Sequence, residues 1–163
     1  MAKNKEEKTN VMRVLEQKKI AYTAHTYPHE EGMAVDGVTV AKSMGFDPAI
    51  VFKTLVARGA SKQYYVFDVP VAENLDLKKA AKAVGEKSIE MIHQKELLPL
   101  TGYVHGGCSP VGMKKLFPTV FHETAENLET MIVSAGKIGY QVELAPRDLA
   151  ALVRAKFADI IVE

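Results

Sequence analysis

Tryptophan is absent from this chain, and cysteine occurs once, at position 108. A single cysteine excludes an internal disulfide, and with seven methionines beside it the chain suits a reducing, cytoplasmic setting. Neither sign of charge is in excess: 21 Lys and Arg against 20 Asp and Glu leave a formal net charge of +1. That balance excludes a uniformly basic nucleic-acid binder. It leaves room for a local basic patch, because binding follows where charge clusters. No apolar run approaches the length that crosses a bilayer, so no membrane association is expected. The opening MAKNKEEK has neither an apolar stretch nor a small-residue cleavage site, which argues against a secretory signal and for a charged flexible lead-in over residues 1–8. Internal repeats and low-complexity segments are lacking too.

What is present is 163 residues, 47% of them hydrophobic, enough for one domain with a sizeable core over residues 9–163. Thr9 and Asn10 open a helix with Val11, Val14, Leu15 and the Lys18 stem turned inward. A strand over residues 21–28 closes at Pro28, a loop comes next, and residues 38–44 form a short helix stopped by Gly45. Residues 51–58 and 64–71 pair as a hairpin across Ser61-Lys62. LDLKKAAKAV (75–84) is a helix between Asp76 and Gly85. A brief strand at 88–92 and a short helix closed by Pro99 lead into a long glycine-rich loop. Strands are expected at 118–123, 130–134 and 140–144, the last two joined by an AGKIG turn, and a final helix runs from Pro146 to residue 155. Even βαβ units are missing, so a doubly wound parallel sheet is disfavoured. The expected class is α+β: a mixed, strongly curved sheet, barrel-like, with helices around it.

Lys53 interrupts the apolar strand VFKTLV, with Val51, Leu55 and Ala57 on its side of the pleat. It either faces water or lines a partly dry site, where its donors bind phosphate or polarise a carbonyl. His25 and His29 stand four apart beside Glu30 and Glu31, but Pro28 between them breaks the helix that would align them. His93, His105 and His122 are scattered, so no metal is expected. Cys108 sits in HGGCSPVGMKK near His105, yet no orienting third residue can be named, and a small apolar side chain in a loop more often packs. Gly106 and Gly107 free the backbone to approach a ligand and Pro110 stiffens the residues after it, although a plain turn would use the same residues. Lys78, Lys79, Lys82 and Lys87 read as a solvated helix face. Lys114 and Lys115 after the loop are the candidates for phosphate contact.

Six stretches occur together in order: HTY at 25–27, FKTLV at 52–56, LDLKKAAKAVG at 75–85, TGYVHGGCSPVGMKK at 101–115, IVSAGKIG at 132–139 and AKFADI at 155–160. In this combination the chain resembles the YbaK/EbsC family, and most of all its branch of Cys-tRNA(Pro) deacylases. The resemblance implies the fold of the editing domain of bacterial prolyl-tRNA synthetases. The activity it implies is removal, in trans, of cysteine mischarged onto proline tRNA, without a cofactor. Lys53 matches the family's essential lysine, expected to hold the terminal adenosine, and Tyr27 the tyrosine at the pocket mouth. Gly106 matches the backbone element facing the ester, and Ser134 a serine lining the site. Thr54, Gly107, Ser109, Pro110 and Gly112 fall in the same motifs as substrate-binding positions. Two places depart from the pattern: Val35 and Asp36 stand where an aromatic residue is expected, and Gln141 where an acid is expected.

In that branch the substrate's own thiol is the nucleophile, which suits a sequence without a nucleophile–base–orienter set. The need for such an enzyme is intelligible, since an apolar pocket separates near-isosteres such as cysteine and proline by only about 1–3 kcal/mol. Mischarged tRNA is thus the expected partner, with prolyl-tRNA synthetase supplying tRNA affinity that a near-neutral chain lacks. The sequence leaves oligomeric state open. It also leaves three rival readings: a deacylase for alanine or another small amino acid using activated water, a non-catalytic module that binds tRNA or a synthetase, and a Cys108-dependent hydrolase.

Overall fold

In the computed structural model, residues 8–30 and 32–163 are described. The lead-in expected over residues 1–8 lies outside them apart from Lys8, whose Nζ is 2.8 Å from Glu16 Oε1. Helix α1 (Asn10–Gln17) starts where Thr9 accepts the Met12 N–H, and it buries Val11, Met12 and Leu15. Lys18, expected to pack inward, is exposed at the helix end. Strand β1 (Thr23–Thr26) comes next, then α2 (Gly37–Ser43), capped by Asp36, whose Oδ2 accepts from Thr39 N at 3.1 Å.

Strands β2 (Phe52–Gly59) and β3 (Tyr64–Pro70) pair antiparallel, with Thr54 opposite Asp68 and Lys53 opposite Val69. Helix α3 (Leu77–Val84) is bounded by its two sequence signals: Asp76 accepts from the N–H groups of Lys78 and Lys79, and Gly85 ends it at φ 76°. Then come β4 (Ile89–Met91) and α4 (Gln94–Thr101). Here the structure differs from the expected stop at Pro99, which lies inside α4. Proline forfeits one N–H there, while the turn closes on Leu98 O···H–N Gly102 at 2.8 Å and a Thr101 hydroxyl bond to Leu97 O at 2.7 Å. Gly102 ends the helix at φ 91°.

Beyond the long loop lie β5 (Thr119–His122), β6 (Met131–Lys137), β7 (Tyr140–Leu144), α5 (Pro146–Val153) and β8 (Lys156–Ala158). The AGK of the expected turn belongs to β6, leaving only Ile138 and Gly139 between Lys137 and its partner Tyr140. Arg154 adopts φ 59°, ends α5 two residues early and releases the chain into β8.

The strands form two sheets, β1-β7-β6 and β4-β2-β3-β5-β8, linked by a parallel bridge from Val51 to Ile132. The larger sheet is mixed: β3 pairs parallel with β5, and β5 with β8. Among the described residues no pairing closes these strands into a barrel, so the architecture is a mixed α+β fold of two sheets and five helices. The main core gathers Leu15, Phe52, Val56, Val66, Phe121, Val133, Val142 and Leu149 between the sheets and α1 and α5. A second cluster, with Ala57, Phe67, Val69 and Ile160, fills the other face of the large sheet under α3. No helix among the described residues is long and apolar enough to cross a membrane.

Candidate functional site

Where β2 begins, the edges of both sheets, α2 and the glycine-rich loop enclose a cavity of about 370 Å³. That is within the range of small-ligand pockets. Five of the residues expected from the resemblance to act in catalysis or substrate binding line it together: Tyr27, Lys53, Thr54, Gly106 and Ser134. Successive residues of a strand point to opposite faces, so Lys53 and Thr54 reach this cavity from the two sides of β2.

Lys53 is half-buried, and loss of water lowers its pKa from the ordinary lysine value. The carboxylates of Asp36 and Glu73 oppose that fall. Asp36 lines the cavity at the start of α2, so the position that departs from the family pattern places a negative charge in the lysine's surroundings. Tyr27 is buried, with its hydroxyl pKa raised by desolvation, and its N–H donates to Gly139 O at 3.0 Å. On the opposite wall Ser134 Oγ accepts from Gly136 N at 3.1 Å, which holds the bulge of β6. Gln141, register partner of Ser134, also lines the cavity, and its buried Oε1 has no hydrogen-bond partner.

The glycine-rich loop divides. Its first half faces the cavity: His105, Gly106 and Cys108 line it. Gly106 has φ 89° and lies so close to the 32–36 segment that an added Cβ would fall 2.7 Å from Ala34 Cβ. Gly107 is turned away; its N–H donates to Val104 O at 3.0 Å, and an added Cβ would meet the Ile138 nitrogen at 3.1 Å. Ser109, fully buried, accepts from Val111 N at 3.2 Å. Pro110 and Gly112 line a separate small cavity with Val14, Lys115 and Phe117. The second half of the loop therefore braces the first. Lys114 and Lys115 are exposed, the former donating to Pro99 O at 3.2 Å and the latter 5.9 Å above the Phe117 ring.

Cys108 is only 7% exposed, and its thiol pKa is pushed up to about 12, first by burial and then by the neighbouring Asp68 carboxylate. A reactive cysteine needs the opposite surroundings, a cation or a helix N-terminus. The histidines are dispersed. His25 Nε2 lies 2.8 Å from Glu143 Oε1, His29 Nδ1 3.0 Å from Tyr27 O, and buried His122 Nδ1 accepts from Ile160 N at 3.3 Å. Glu31 lies outside the described residues. Among those described, no group of three or more His, Cys, Asp or Glu could hold a metal ion.

One residue of this region is absent from the sequence candidates. Asp68 is completely buried, accepts the Thr54 hydroxyl proton at 2.5 Å through Oδ1, and has no partner on Oδ2. Burial pushes its pKa up to about 7, and the Thr54 hydrogen bond opposes the rise. The signal that could have found it is an acid inside the apolar run YYVFDVPV.

Residues 29–152 match the aminoacyl-tRNA editing domain family. Across 161 residues, 98% of each chain, the sequence is 46% identical to a protein of Enterococcus faecalis provisionally named Cys-tRNA(Pro)/Cys-tRNA(Cys) deacylase EbsC. A crystal structure described provisionally as a trans-editing enzyme for prolyl tRNA synthetase superposes with a TM-score of 0.80 at 25% identity, covering 94% of this chain and 95% of the other. Another, of a hypothetical protein, has a TM-score of 0.82 at 19% identity over 93% and 99% of the two chains, and so shares the fold.

Proposed function

Because the chain belongs to the aminoacyl-tRNA editing domain family, we propose that it is a trans-editing hydrolase that cleaves the ester of Cys-tRNA(Pro), with Cys-tRNA(Cys) as a further substrate. The observation that carries this reading is a cavity with a half-buried lysine and a glycine lip, whose one thiol is held neutral by its surroundings. Lys53 binds the terminal adenosine end of the tRNA, where a cation in a partly dry wall is worth more than one in water. Tyr27 closes the mouth, and Thr54 and Ser134 line the aminoacyl subsite. The Gly106 N–H faces the ester oxygen that becomes negative. Gly107, Ser109, Pro110 and Gly112 act through the shape of the loop, and exposed Lys114 and Lys115 meet tRNA phosphates.

The reaction needs no enzymic nucleophile. The substrate's sulfur bonds to its own carbonyl carbon, the bond from that carbon to the ribose oxygen breaks, and the thiol proton passes to the departing oxygen. The thiolactone left behind is opened by water to free cysteine. The protein's contribution is to fold the cysteinyl group into near-attack geometry and to stabilise the oxyanion. Prolyl-tRNA synthetase is the proposed partner, because a net charge of +1 gives little sequence-independent affinity for tRNA.

The test is release of amino acid from Cys-, Ser- and Ala-charged tRNA(Pro), with and without the synthetase. Cysteine release well above the other two is expected. Equal cleavage of all three overturns the substrate-thiol mechanism in favour of activated water, and tRNA binding without turnover of any ester overturns the enzymatic reading.

A further inference from the structure

The Thr54 side chain carries one hydroxyl proton, and that proton is directed at Asp68. It lies on the 2.5 Å hydrogen bond to Asp68 Oδ1, across the β2–β3 register pair. A hydroxyl whose proton is engaged in this way offers only lone pairs in its remaining directions. Thr54 lines the cavity, and a lone pair is all that its oxygen can offer a ligand there. Asp68 itself has no exposure and touches no solvent; from β5 its register partner is Phe121, and from the loop the titratable group beside it is the neutral Cys108 thiol. A wholly buried carboxyl with an unpartnered oxygen is costly to the fold. The arrangement is stable only in the sense that the rest of the core carries it. Its one hydrogen bond is to Thr54, and its charge also raises the pKa of the Cys108 thiol.

We infer that Asp68 is a positioning residue that fixes Thr54 as a hydrogen-bond acceptor for the α-ammonium group of the bound aminoacyl moiety. The inference rests on the deacylase reading above and deepens it. Of the donors that a cysteinyl ester offers, the ammonium is the one with full positive charge, and a charge-assisted bond to an oxygen backed by a carboxyl is the strongest available match. While Asp68 is ionised, or carries its proton on Oδ2, Oδ1 accepts and the orientation of Thr54 holds. Without Asp68 the hydroxyl rotor is free, and its acceptor face is no longer held for the ammonium.

The experiment compares wild-type protein, Asp68→Val, Asp68→Asn, Thr54→Val and the Thr54→Val/Asp68→Val double variant. Each is assayed on Cys-tRNA(Pro) and on tRNA(Pro) charged with 3-mercaptopropionate, which keeps the thiol and lacks the amine. On Cys-tRNA(Pro), Asp68→Val is expected to lower kcat/KM at least tenfold, chiefly through KM. Asp68→Asn, whose amide oxygen still accepts from Thr54, stays within about threefold of wild type. The double variant is expected to be no worse than Thr54→Val alone, since both changes remove one interaction. On the amine-free ester Asp68→Val should match wild type, and Thr54→Val should lose far less than it loses on Cys-tRNA(Pro). A merely structural Asp68 would lower activity on both esters and add its loss to that of Thr54→Val, and either result overturns the inference. Where Asp68→Val does not fold, Thr54→Val decides alone: an equal loss on both esters refutes an ammonium contact, and a loss confined to Cys-tRNA(Pro) supports it. A wild-type protein that turns over Cys-tRNA(Pro) while Asp68→Val matches it sinks this inference only. A wild type silent on every ester sinks the deacylase reading and this inference with it.

Discussion

Lys53 on β2 and Asp68 on β3 each follow a phenylalanine, interrupt an apolar strand and stand one register step apart. The same sequence signal leads to two different physical solutions. Lys53 keeps part of its surface in the cavity, where burial lowers its pKa and the Asp36 and Glu73 carboxylates resist the change. Asp68 lies wholly within the core with a single hydrogen bond, and burial raises its pKa to about 7. A charge at the wall of a cavity can act on a ligand directly. A charge behind the wall can act only through the residue in front of it, and its cost is borne by the fold.

The most severe test of this contrast is to measure that cost. Asp68 is an acid whose folded pKa lies above its ordinary value of 3.8. The folded state therefore holds the proton more tightly, the penalty is absent below about pH 4, and stability falls as pH rises towards 7 and is level beyond. A rise from 3.8 to about 7 corresponds to roughly 4 kcal/mol. Urea unfolding at about pH 4, 6 and 8 should show wild-type protein losing stability over this range by an amount of that order, with Asp68→Asn lacking this component. The same slope in both proteins would mean that Asp68 is hydrated or paired in solution.

Lys53 is expected to behave the other way: large in activity, small in stability. Lys53→Ala should reduce kcat/KM for Cys-tRNA(Pro) by at least about 100-fold, or some 2.7 kcal/mol, with little change in melting temperature. Lys53→Arg should recover only part of the loss, because a planar fork does not replace a compact ammonium in a fitted wall. Full activity in Lys53→Ala would place the substrate elsewhere.

The glycine lip of the cavity gives the next effect in size. An alanine at 106 would sit at φ 89° with its Cβ within 2.7 Å of Ala34 Cβ, so the two loops must part. A left-handed non-glycine residue costs about 1–3 kcal/mol, and Gly106→Ala should lose about tenfold in kcat. Gly107→Ala tests the division of the loop: it should act on stability, since that residue packs on the backbone of Lys137 and Ile138.

Much of this layout is legible in the sequence for local reasons. Thr9, Asp76 and Gly85 mark helix ends because capping is a matter of neighbouring residues. Lys53 shows itself as a charge among apolar residues. What does not show is decided by partners far away in the chain. Residues 156–158 carry no period and become β8 only because β5 offers a parallel edge. Pro99 reads as a stop, yet α4 runs past it because Thr101 and Gly102 satisfy the carbonyls of the last turn. Gly106 and Gly107 are equivalent as letters. Only the packing of 32–36 and 137–138 against them makes one a lip and the other a brace. Asp68 carries the same local signal as Lys53, but its effect depends on Thr54, which is paired with it across the hairpin.

The smallest expected effect concerns Cys108, which shares a feature with each of the two charges. It lines the cavity as Lys53 does and is buried beside Asp68. With its pKa at about 12, the thiolate fraction at neutral pH is on the order of 10⁻⁵. Nucleophilic catalysis by this sulfur would forfeit most of its advantage before the reaction began. Cys108→Ala should therefore keep kcat within about threefold of wild type while losing roughly 1 kcal/mol of stability to the small cavity left behind. Cys108→Ser puts a hydroxyl donor beside Asp68 and should restore part of the stability at pH 8, where Asp68 is mostly ionised, more than at pH 5. Loss of turnover in both variants with the fold intact would return the thiol to the centre of the site. Retained turnover together with a pH-dependent gain in Cys108→Ser leaves the sulfur as packing and ties the loop's stability to the same buried carboxyl that orients Thr54.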